Sequence, residues 1–256
     1  MINLLKKIIR IKKVNEYCPV CNINTTFNQL PAFYFKKLQQ YRFEYSIFNF
    51  ETFNVYQYSC SRCGASDRER LIVLFLKQYF DPHKILQVLD IGITSKQIES
   101  FFKKNFASST YLTLDKYNSD ANYQLDVENM SEINDNSFDL IICSHVLEHI
   151  PNPFNAVNEI YRILKKQGQA IILVPILLSI DKTIENPSYN TDELRWKYYG
   201  QNDHLRLFSK KDFLSLIKSV PFEIKELGID YFGADSFNIC GLTETSTLYL
   251  CTKNEQ

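Results

Sequence analysis

Short apolar runs alternate with amphipathic segments over the last three quarters of the chain. Five such runs predict strands, at 85–92, 111–115, 123–127, 138–144 and 169–175. Runs of this length that end in turn-forming residues are typical of strands buried on both faces of a sheet. The segments between them carry apolar residues at helical spacing, as at 95–105 and from Asn152 to Gly168, where Asn152 predicts the start and Gly168 the end of a helix. This alternation predicts right-handed crossovers and a mostly parallel sheet.

The flanking segments extend this pattern in both directions. Ser209 and Asp212 predict a capped helix through Lys218, and two final strands follow at 222–230 and 247–253. Upstream, a helix is predicted at 67–80, capped by Ser66 or Asp67. Its DRER start could form a site, but acidic residues suit a helix start, so we expect a solvated first turn.

Composition narrows the classes of partner. The 256 residues carry no net charge and 45% are hydrophobic, so a large core is expected and nucleic acid is not an expected partner. Residues 1–13 combine apolar and basic positions, which predicts a short helix that packs on the protein or makes at most a weak membrane-surface contact. They lack the continuous apolar core of a signal peptide, and we expect a cytoplasmic protein of unknown oligomeric state.

Four of the seven cysteines form two CxxC pairs, Cys18 with Cys21 and Cys60 with Cys63. Two such turns complete a tetrahedral sulfur site, the geometry of structural zinc. Without an export signal, metal binding is favoured over disulfides or redox motifs. The sequence therefore predicts structural Zn²⁺ in an N-terminal zinc-ribbon-like module.

The stretch FDLIICSHVLEHI, at 138–150, holds a strand followed directly by polar residues. Ligands bind at the carboxyl ends of strands in open α/β sheets, so Ser144 and His145 are predicted to lie at a ligand rim. Asp115 ends the preceding strand, and a carboxylate there can accept two vicinal hydroxyl groups. Asp115 and Asp126 could instead serve only in turns.

Several motifs together resemble class I S-adenosylmethionine-dependent methyltransferases, of the methyltransferase type 11 kind. They are VLDIG at 88–92, the strand-end aspartate, FDLIICSHVLEHI, and the helix NAVNEIYRILKKQG that follows. The resemblance covers roughly residues 68–253. It implies an α/β, Rossmann-like, seven-stranded, mostly parallel sheet with an antiparallel last strand, in a domain at 67–256 that follows the zinc-binding module at 1–66.

The resemblance also implies residues that bind S-adenosylmethionine: Asp90, Gly92, Thr94, Asp115, Asp126, Val127, Ser144 and His145. Asp90 and Gly92 would approach the methionine part, Asp115 the ribose, Asp126 and Val127 the adenine, and Ser144 and His145 the sulfonium. The family usually carries glycines where this chain has Thr94 and Lys96. Their Cβ atoms narrow the turn, although Thr94 or Ser95 could instead donate a hydrogen bond to the amino-acid carboxylate of the cofactor.

The acceptor site is predicted downstream, around the stretch YYGQNDHLRLFS. His204, Asp203 and His145 are the candidate catalytic residues for handling the acceptor's proton. Four residues are candidates for binding a small-molecule acceptor, such as a sugar or a phosphorylated glycan precursor: Arg195, Tyr198, Gln201 and Arg206. His204 could equally be a surface-loop histidine, and His149 is expected to have a structural role.

Two other functions fit part of the sequence. The first is a zinc-ribbon binding protein with a catalytically inactive methyltransferase-like domain. The second is a nicotinamide-dependent dehydrogenase, because Asp115 suits either cofactor; the absence of a GxGxxG turn disfavours it.

Overall fold

The computed structural model of the protein describes residues 16–254. The predicted basic helix at 1–13 lies outside the described residues. The described part of the N-terminal region contains two small antiparallel strand pairs, a hairpin of β1 with β2 and a longer-range pair of β3 with β4. Its elements are β1 (Tyr17–Cys18), β2 (Ile23–Asn24), β3 (Phe27–Asn28), α1 (Ala32–Gln40), a 3₁₀ turn (Ile47–Asn49) and β4 (Ser59–Cys60).

An α/β unit follows this region. Its elements are α2 (Asp67–Tyr79), β5 (Gln87–Ile91), α3 (Lys96–Asn105), β6 (Thr110–Leu114), β7 (Phe138–Ser144), α4 (Pro153–Ile163), β8 (Leu164–Leu173), β9 (Ile184–Glu185), α5 (Asp192–Tyr199), β10 (Arg206–Leu207), α6 (Lys210–Ile217), β11 (Phe222–Leu227), α7 (Ile229–Phe232), α8 (Ala234–Ile239) and β12 (Leu248–Lys253). None of the helices in 16–254 has the length and apolar character needed to cross a membrane.

The central sheet has the order β11-β12-β8-β7-β5-β6. Strands β8, β7, β5 and β6 are parallel neighbours, and β12 runs antiparallel to both β8 and β11. The predicted Rossmann-like α/β fold, mostly parallel with an antiparallel last strand, is confirmed. Its core strands are buried on both faces; Leu140, Ile141 and Ile142 of β7 are fully buried.

The predicted count of seven strands is wrong for this sheet, which has six. The segment 123–127 does not form a strand, because its pairing with β6 is reduced to one bridge between Leu114 and Tyr123. The chain then turns, since Asp126 accepts a hydrogen bond from the backbone N–H of Glu128 through its side chain. This turn prevents the pairing from extending.

Helix α4 begins as predicted and ends early. The side chain of Asn152 accepts hydrogen bonds at the helix start, and Pro153 occupies the first turn. The helix ends at Ile163 rather than near Gly168, because Leu164 already pairs with Phe138 at the beginning of β7. Pairing with the sheet therefore ends the helix, and Gly168 lies within β8.

The start of α2 is buried, so the expectation of a solvated first turn is wrong. Ser66 and Glu69 form a reciprocal capping box. Arg70 is completely buried and donates to backbone carbonyls of both the N-terminal region and the C-terminal segment, at Gln57, Tyr58, Ala65, Cys240 and Gly241. The guanidinium thereby ties the cysteine-containing region to the rest of the chain.

Candidate functional site

The carboxyl ends of β5, β6 and β7 open into one cleft of about 520 Å³. Parallel strands place their carboxyl ends at the same edge of a sheet, which explains why residues far apart in sequence meet there. Five residues predicted to bind the cofactor line this cleft: Gly92, Asp115, Asp126, Val127 and His145. The volume lies within the roughly 300–1,000 Å³ typical of small-molecule sites.

The turn after β5 forms the floor of the cleft. Gly92 has a φ of 80° and donates its N–H to the carbonyl of Leu114, and Ile93 follows with a φ of 46°. A Cβ at Gly92 would lie 2.5 Å from Cγ2 of Val146, so only glycine fits between the two strand ends. For a β-branched residue such as Ile93, a left-handed conformation is uncommon.

Asp90 and Thr94, predicted to approach the cofactor, do not line this cleft. Asp90 is fully buried and accepts hydrogen bonds from the backbone N–H and hydroxyl of Thr94 and from the hydroxyl of Tyr111. Burial raises the pKa of Asp90 to about 6, although these hydrogen bonds act in the opposite direction. Thr94, which replaces a family glycine, therefore fastens the turn to β5.

Asp115 keeps one carboxylate oxygen free for a ligand. Its Oδ1 accepts hydrogen bonds of 2.8 Å from the backbone N–H groups of Tyr117 and Asn118, which form a turn. Its Oδ2 has no hydrogen-bond partner among residues 16–254, and the residue lines the cleft. The turn and the ligand-binding interpretations of Asp115 are thus compatible.

Asp126 forms an ion pair across the cleft wall. Its Oδ2 lies 2.7 Å from Nζ of Lys116, which holds the pKa of Asp126 below its usual value. Val127 lies beside it in the wall. Any ligand that uses this carboxylate has to share it with Lys116.

His145 forms a wall between the cleft and a second cavity. Its φ is 59°, and its backbone N–H donates to the carbonyl of Leu173 at the end of β8. Its Nδ1 lies 3.3 Å from Nη1 of Arg68. Burial, with the positive charge of Arg68, lowers the pKa of His145 well below its ordinary value. Ser144, also predicted at this rim, is buried with an unpaired hydroxyl and lines neither cavity.

Comparison with known proteins identifies this part of the chain. Residues 77–172 match the family model for a methyltransferase domain. The segment 77–172 is a methyltransferase domain. The match covers the cleft-forming strands β5, β6 and β7. It confirms the family resemblance predicted from FDLIICSHVLEHI, and with it the predicted enzyme class, a methyltransferase.

Individual relatives add little to this identification. An uncharacterized protein of Methanocaldococcus jannaschii is 45% identical over 56 residues, which span 22% of this chain and 23% of that protein. A solved SAM-dependent methyltransferase of Archaeoglobus fulgidus is 16% identical, with 72% of this chain and 93% of that chain covered at a TM-score of 0.45. The 1,6-didemethyltoxoflavin-N1-methyltransferase of Burkholderia thailandensis is 13% identical, with 72% and 76% covered at 0.47. At these identities and TM-scores, the structural similarities support no conclusion about the reaction.

The second cavity lies between the N-terminal region and the part of the α/β unit that follows β8. It measures about 90 Å³ and is largely apolar and aromatic. One side comes from residues 30–58, including Tyr34, Phe43 and Phe53, and the other from residues 174–204, including the predicted acceptor-binding Gln201. Tyr198 does not line it, because its ring stacks on Tyr189 at 4.0 Å.

The candidate catalytic residues converge on Glu148, which the sequence analysis did not single out. Glu148 is fully buried, and its Oε1 lies 3.3 Å from Nδ1 of His145 and 4.0 Å from Nε2 of His204. Asp203 lies in the cleft wall, and its backbone carbonyl lies 3.2 Å from Nδ1 of His149. Burial raises the pKa of Glu148 to about 8 and lowers that of His204 to about 3.

His204 and His149 both differ from the simplest expectations for them. His204 is 4% exposed, so the surface-loop alternative is wrong. His149, expected to be structural, lines the cleft and lies beside Glu148.

The two arginines predicted to bind an acceptor are occupied by backbone groups. Arg206 is 2% exposed; it donates to the carbonyls of Leu147, Ile150 and Pro151 and pairs with Glu185. The guanidinium of Arg195, in α5, donates to the backbone carbonyls of Tyr189 and Asn202, which flank that helix. The structure therefore gives no support to anion binding by Arg206, whose contacts instead hold the turn after β7.

The four cysteines of the CxxC pairs form one cluster. Sγ of Cys18 lies 3.7 Å from Sγ of Cys63, and Sγ of Cys21 lies 3.9 Å from Sγ of Cys60. Thiolates that are about 2.3 Å from one tetrahedral zinc lie about 3.8 Å apart, so the spacing fits. Each pair is followed by a left-handed residue, Asn22 or Gly64, and such a residue closes the turn.

Sequence reasoning missed three polar residues of the site. Arg68 was assigned to a solvated helix start, Glu148 was treated only as part of a motif, and Lys116 was not considered. The signal for Glu148 was present in the sequence: HVLEH carries a carboxylate beside one histidine and three residues after another. The position of Arg68 depends on its long-range contact with His145, which no local pattern encodes.

Proposed function

We propose that this protein transfers the methyl group of S-adenosylmethionine to a small-molecule acceptor. The observation that carries the proposal is the position of His145, which lines both the cleft at the carboxyl ends of the strands and the aromatic cavity beside it. Two spaces that meet at one side chain suit a reaction between two bound molecules.

The residues of the cleft support binding of the cofactor. Oδ2 of Asp115 is available to ribose hydroxyls, Gly92 lets a ligand approach the backbone, and the carboxylate of Asp126, in the same cleft, would accept a hydrogen bond from the adenine amino group. When bound, S-adenosylmethionine supplies an electrophilic methyl group on a sulfonium. Thr94 and Asp90 then act by fixing the shape of the turn rather than by direct contact.

The histidines of the site handle the proton of the acceptor. Both His145 and His204 have lowered pKa values, so both rings are neutral near pH 7 and keep a nitrogen lone pair, although the same burial makes each ring a weak base. His204 lines the aromatic cavity, which places it on the acceptor side. We assign His204 the base role, Asp203 the positioning of the neighbouring His149, and His145 the separation of the two spaces.

The acceptor is a small molecule with an apolar or flat body. The second cavity offers Tyr34, Phe43 and Phe53, whose rings suit an apolar face or the C–H face of a sugar ring. Of the predicted acceptor residues, Gln201 is in position to donate a hydrogen bond. A phosphorylated acceptor lacks support, because Arg206 is saturated.

The cysteine cluster binds structural zinc in this proposal. Four sulfur ligands leave no open position, so the ion stabilises the N-terminal region at 1–66 rather than taking part in the reaction. Since residues 30–58 line the aromatic cavity, loss of zinc should also disturb the acceptor site. Thiols reserved for a metal also agree with the predicted cytoplasmic location.

An inactive methyltransferase-like domain is the second candidate. Asp126 is engaged by Lys116, and Thr94 replaces a glycine, so both could weaken cofactor binding. Thermal unfolding with S-adenosylhomocysteine or NAD separates the possibilities. We expect S-adenosylhomocysteine alone to raise the unfolding temperature; no response to it would support the inactive domain, and a response to NAD alone would support a dehydrogenase.

A further inference from the structure

Three of the four histidines of the chain surround the carboxylate of Glu148. Nε2 of His149 lies 3.8 Å and Nε2 of His204 lies 4.0 Å from Oε1 of Glu148. The candidate ligand atoms of Glu148, His149 and His204 all lie within 4.8 Å of one another. Two imidazoles and one carboxylate form a donor set that suits zinc, iron or manganese.

Glu148 needs a partner that residues 16–254 do not provide. Its side chain is completely buried, and neither oxygen accepts a hydrogen bond from any described residue. Nδ1 of the buried His204 is likewise unpaired. Buried polar groups are nearly always satisfied, so these atoms indicate that a proton or a cation belongs between them.

His149 is already held in the orientation of a metal ligand. Its Nδ1 lies 3.2 Å from the backbone carbonyl of Asp203, a contact in which Nδ1–H is the donor. The lone pair of the neutral ring is then on Nε2, which faces Glu148. A carbonyl that fixes the tautomer of a ligating histidine is the usual outer contact of metal sites.

The two segments that carry these ligands are fastened together. The backbone N–H of Leu205 donates to the carbonyl of Glu148 at 2.8 Å. Arg206 donates to the carbonyls of Leu147 and Ile150, on either side of Glu148 and His149. The ligand positions are therefore set by the fold before any ion binds.

We propose that Glu148, His149 and His204 bind a divalent transition-metal ion at the junction of the cofactor cleft and the aromatic cavity. Ligands about 2.0–2.2 Å from one ion lie about 3–3.5 Å apart, so the observed distances close with small side-chain rotations. Three protein ligands leave coordination positions open. His145, whose Nδ1 is 3.3 Å from Oε1 of Glu148, is close enough to become a fourth ligand.

The neighbouring charges have opposite effects on the binding of a cation at this site. Arg68 lies beside His145, and its positive charge disfavours a dication, whereas Glu148 and the carboxylate of Asp203 favour one. The alternative occupant is a proton on Glu148. If the proposed methyl transfer holds, on which this step rests, the ion would take over the role of His204 as base, because Nε2 of His204 would be a ligand. An acceptor oxygen bound to the open positions would lose its proton to solvent more readily.

Metal content of the full-length protein tests the site without any substrate. Purified protein is incubated with excess zinc, cobalt, manganese or ferrous iron, desalted, and analysed by elemental mass spectrometry. We expect two equivalents of metal in wild type, one in the cysteine cluster and one at the histidines. Cobalt at the histidine site should add an absorption band without the thiolate charge transfer of the cysteine site.

Matched variants assign the second ion. Glu148→Gln and His149→Ala should keep the cysteine-bound ion. Each should lower the affinity for the second ion by more than the roughly 10–100-fold loss seen when a residue that only supports a ligand is removed. His149 is 33% exposed, so its truncation tests the site even if the Glu148 variant fails to fold. His83→Ala, at an exposed histidine elsewhere, should keep both ions.

The proposed metal site can be refuted without refuting the proposed function. A single equivalent in wild type with every metal, or two in both ligand variants, would overturn it. S-adenosylhomocysteine binding is measured on the same samples, and its presence or absence judges the cofactor cleft separately.

Discussion

Nδ1 of His145 lies 3.3 Å from Nη1 of Arg68, although 77 positions separate them in the chain. His145 directly follows β7 of the methyltransferase domain, and Arg68 belongs to the first turn of α2. This contact joins the helix that follows the cysteine cluster to the residue that separates the two cavities. Because residues 30–58 line the second cavity, the N-terminal region is also part of the candidate site.

Asp115→Ala should remove most of the affinity for S-adenosylhomocysteine. Two lost hydrogen bonds to a carboxylate, at about 1.5 kcal/mol or more each, correspond to a loss of roughly 100-fold or more in affinity. Calorimetric titration measures it. Asp120→Ala, at an exposed aspartate of the same loop, is the control and should bind as wild type. Retained affinity in Asp115→Ala would remove the ribose assignment.

His204→Ala should lower methyl transfer much more than cofactor binding. General-base catalysis contributes roughly 10²–10⁴-fold, and His204 lines the acceptor cavity but not the cofactor cleft. We expect a loss of that size in kcat, with S-adenosylhomocysteine affinity close to wild type. Unchanged turnover would take His204 out of the mechanism. Thermal unfolding of the same variant checks that its buried position still packs.

Gly92→Ala should be more destabilising than Gly233→Ala. Both glycines have a left-handed φ, of 80° and 86°, which costs a Cβ-bearing residue about 1–3 kcal/mol. At Gly233 the added Cβ meets nothing within 4 Å, whereas at Gly92 it meets Val146. Chemical denaturation measures both, and the excess at Gly92 should fall when Val146→Ala is added. Equal losses at the two positions would contradict the close approach.

Acid should weaken the link between α4 and the loop at 130–135, where Glu159 accepts a hydrogen bond from the backbone N–H of Met130 and Arg162 donates to its carbonyl. Arg162 holds the pKa of Glu159 below its ordinary value of 4.5, so the pair stabilises the fold above that value. This stabilisation is lost as pH falls through the lowered pKa of the folded state. Denaturation between pH 6 and 3 should show a smaller acid-dependent loss in Glu159→Gln than in wild type. Parallel pH curves would refute the role of the pair.

The regular elements were predictable where local patterns agree with the sheet. The apolar run of β7 and the Asn152–Pro153 start of α4 are local signals, and both are confirmed. The end of α4 was not predictable from Gly168, because pairing of Leu164 with Phe138 overrides it. The missing strand at 123–127 similarly depends on a side-chain turn at Asp126.

The site was predictable only in part for a related reason. Asp115 and His145 stand at strand ends, where position alone suggests ligand contact. Arg206 was predicted to be available because its sequence context is polar, yet the fold buries it against three carbonyls. Charge and spacing in the sequence do not reveal which side-chain donors will be hydrogen-bonded to backbone carbonyls and so be unavailable to a ligand.

Native mass spectrometry of the gently purified protein tests the central proposal most directly. A cofactor bound in the 520 Å³ cleft should survive as a non-covalent mass increment. The account predicts an increment equal to S-adenosylmethionine or S-adenosylhomocysteine, restored by adding either compound and absent in Asp115→Ala. A protein that carries neither compound and takes up neither when they are supplied would contradict it.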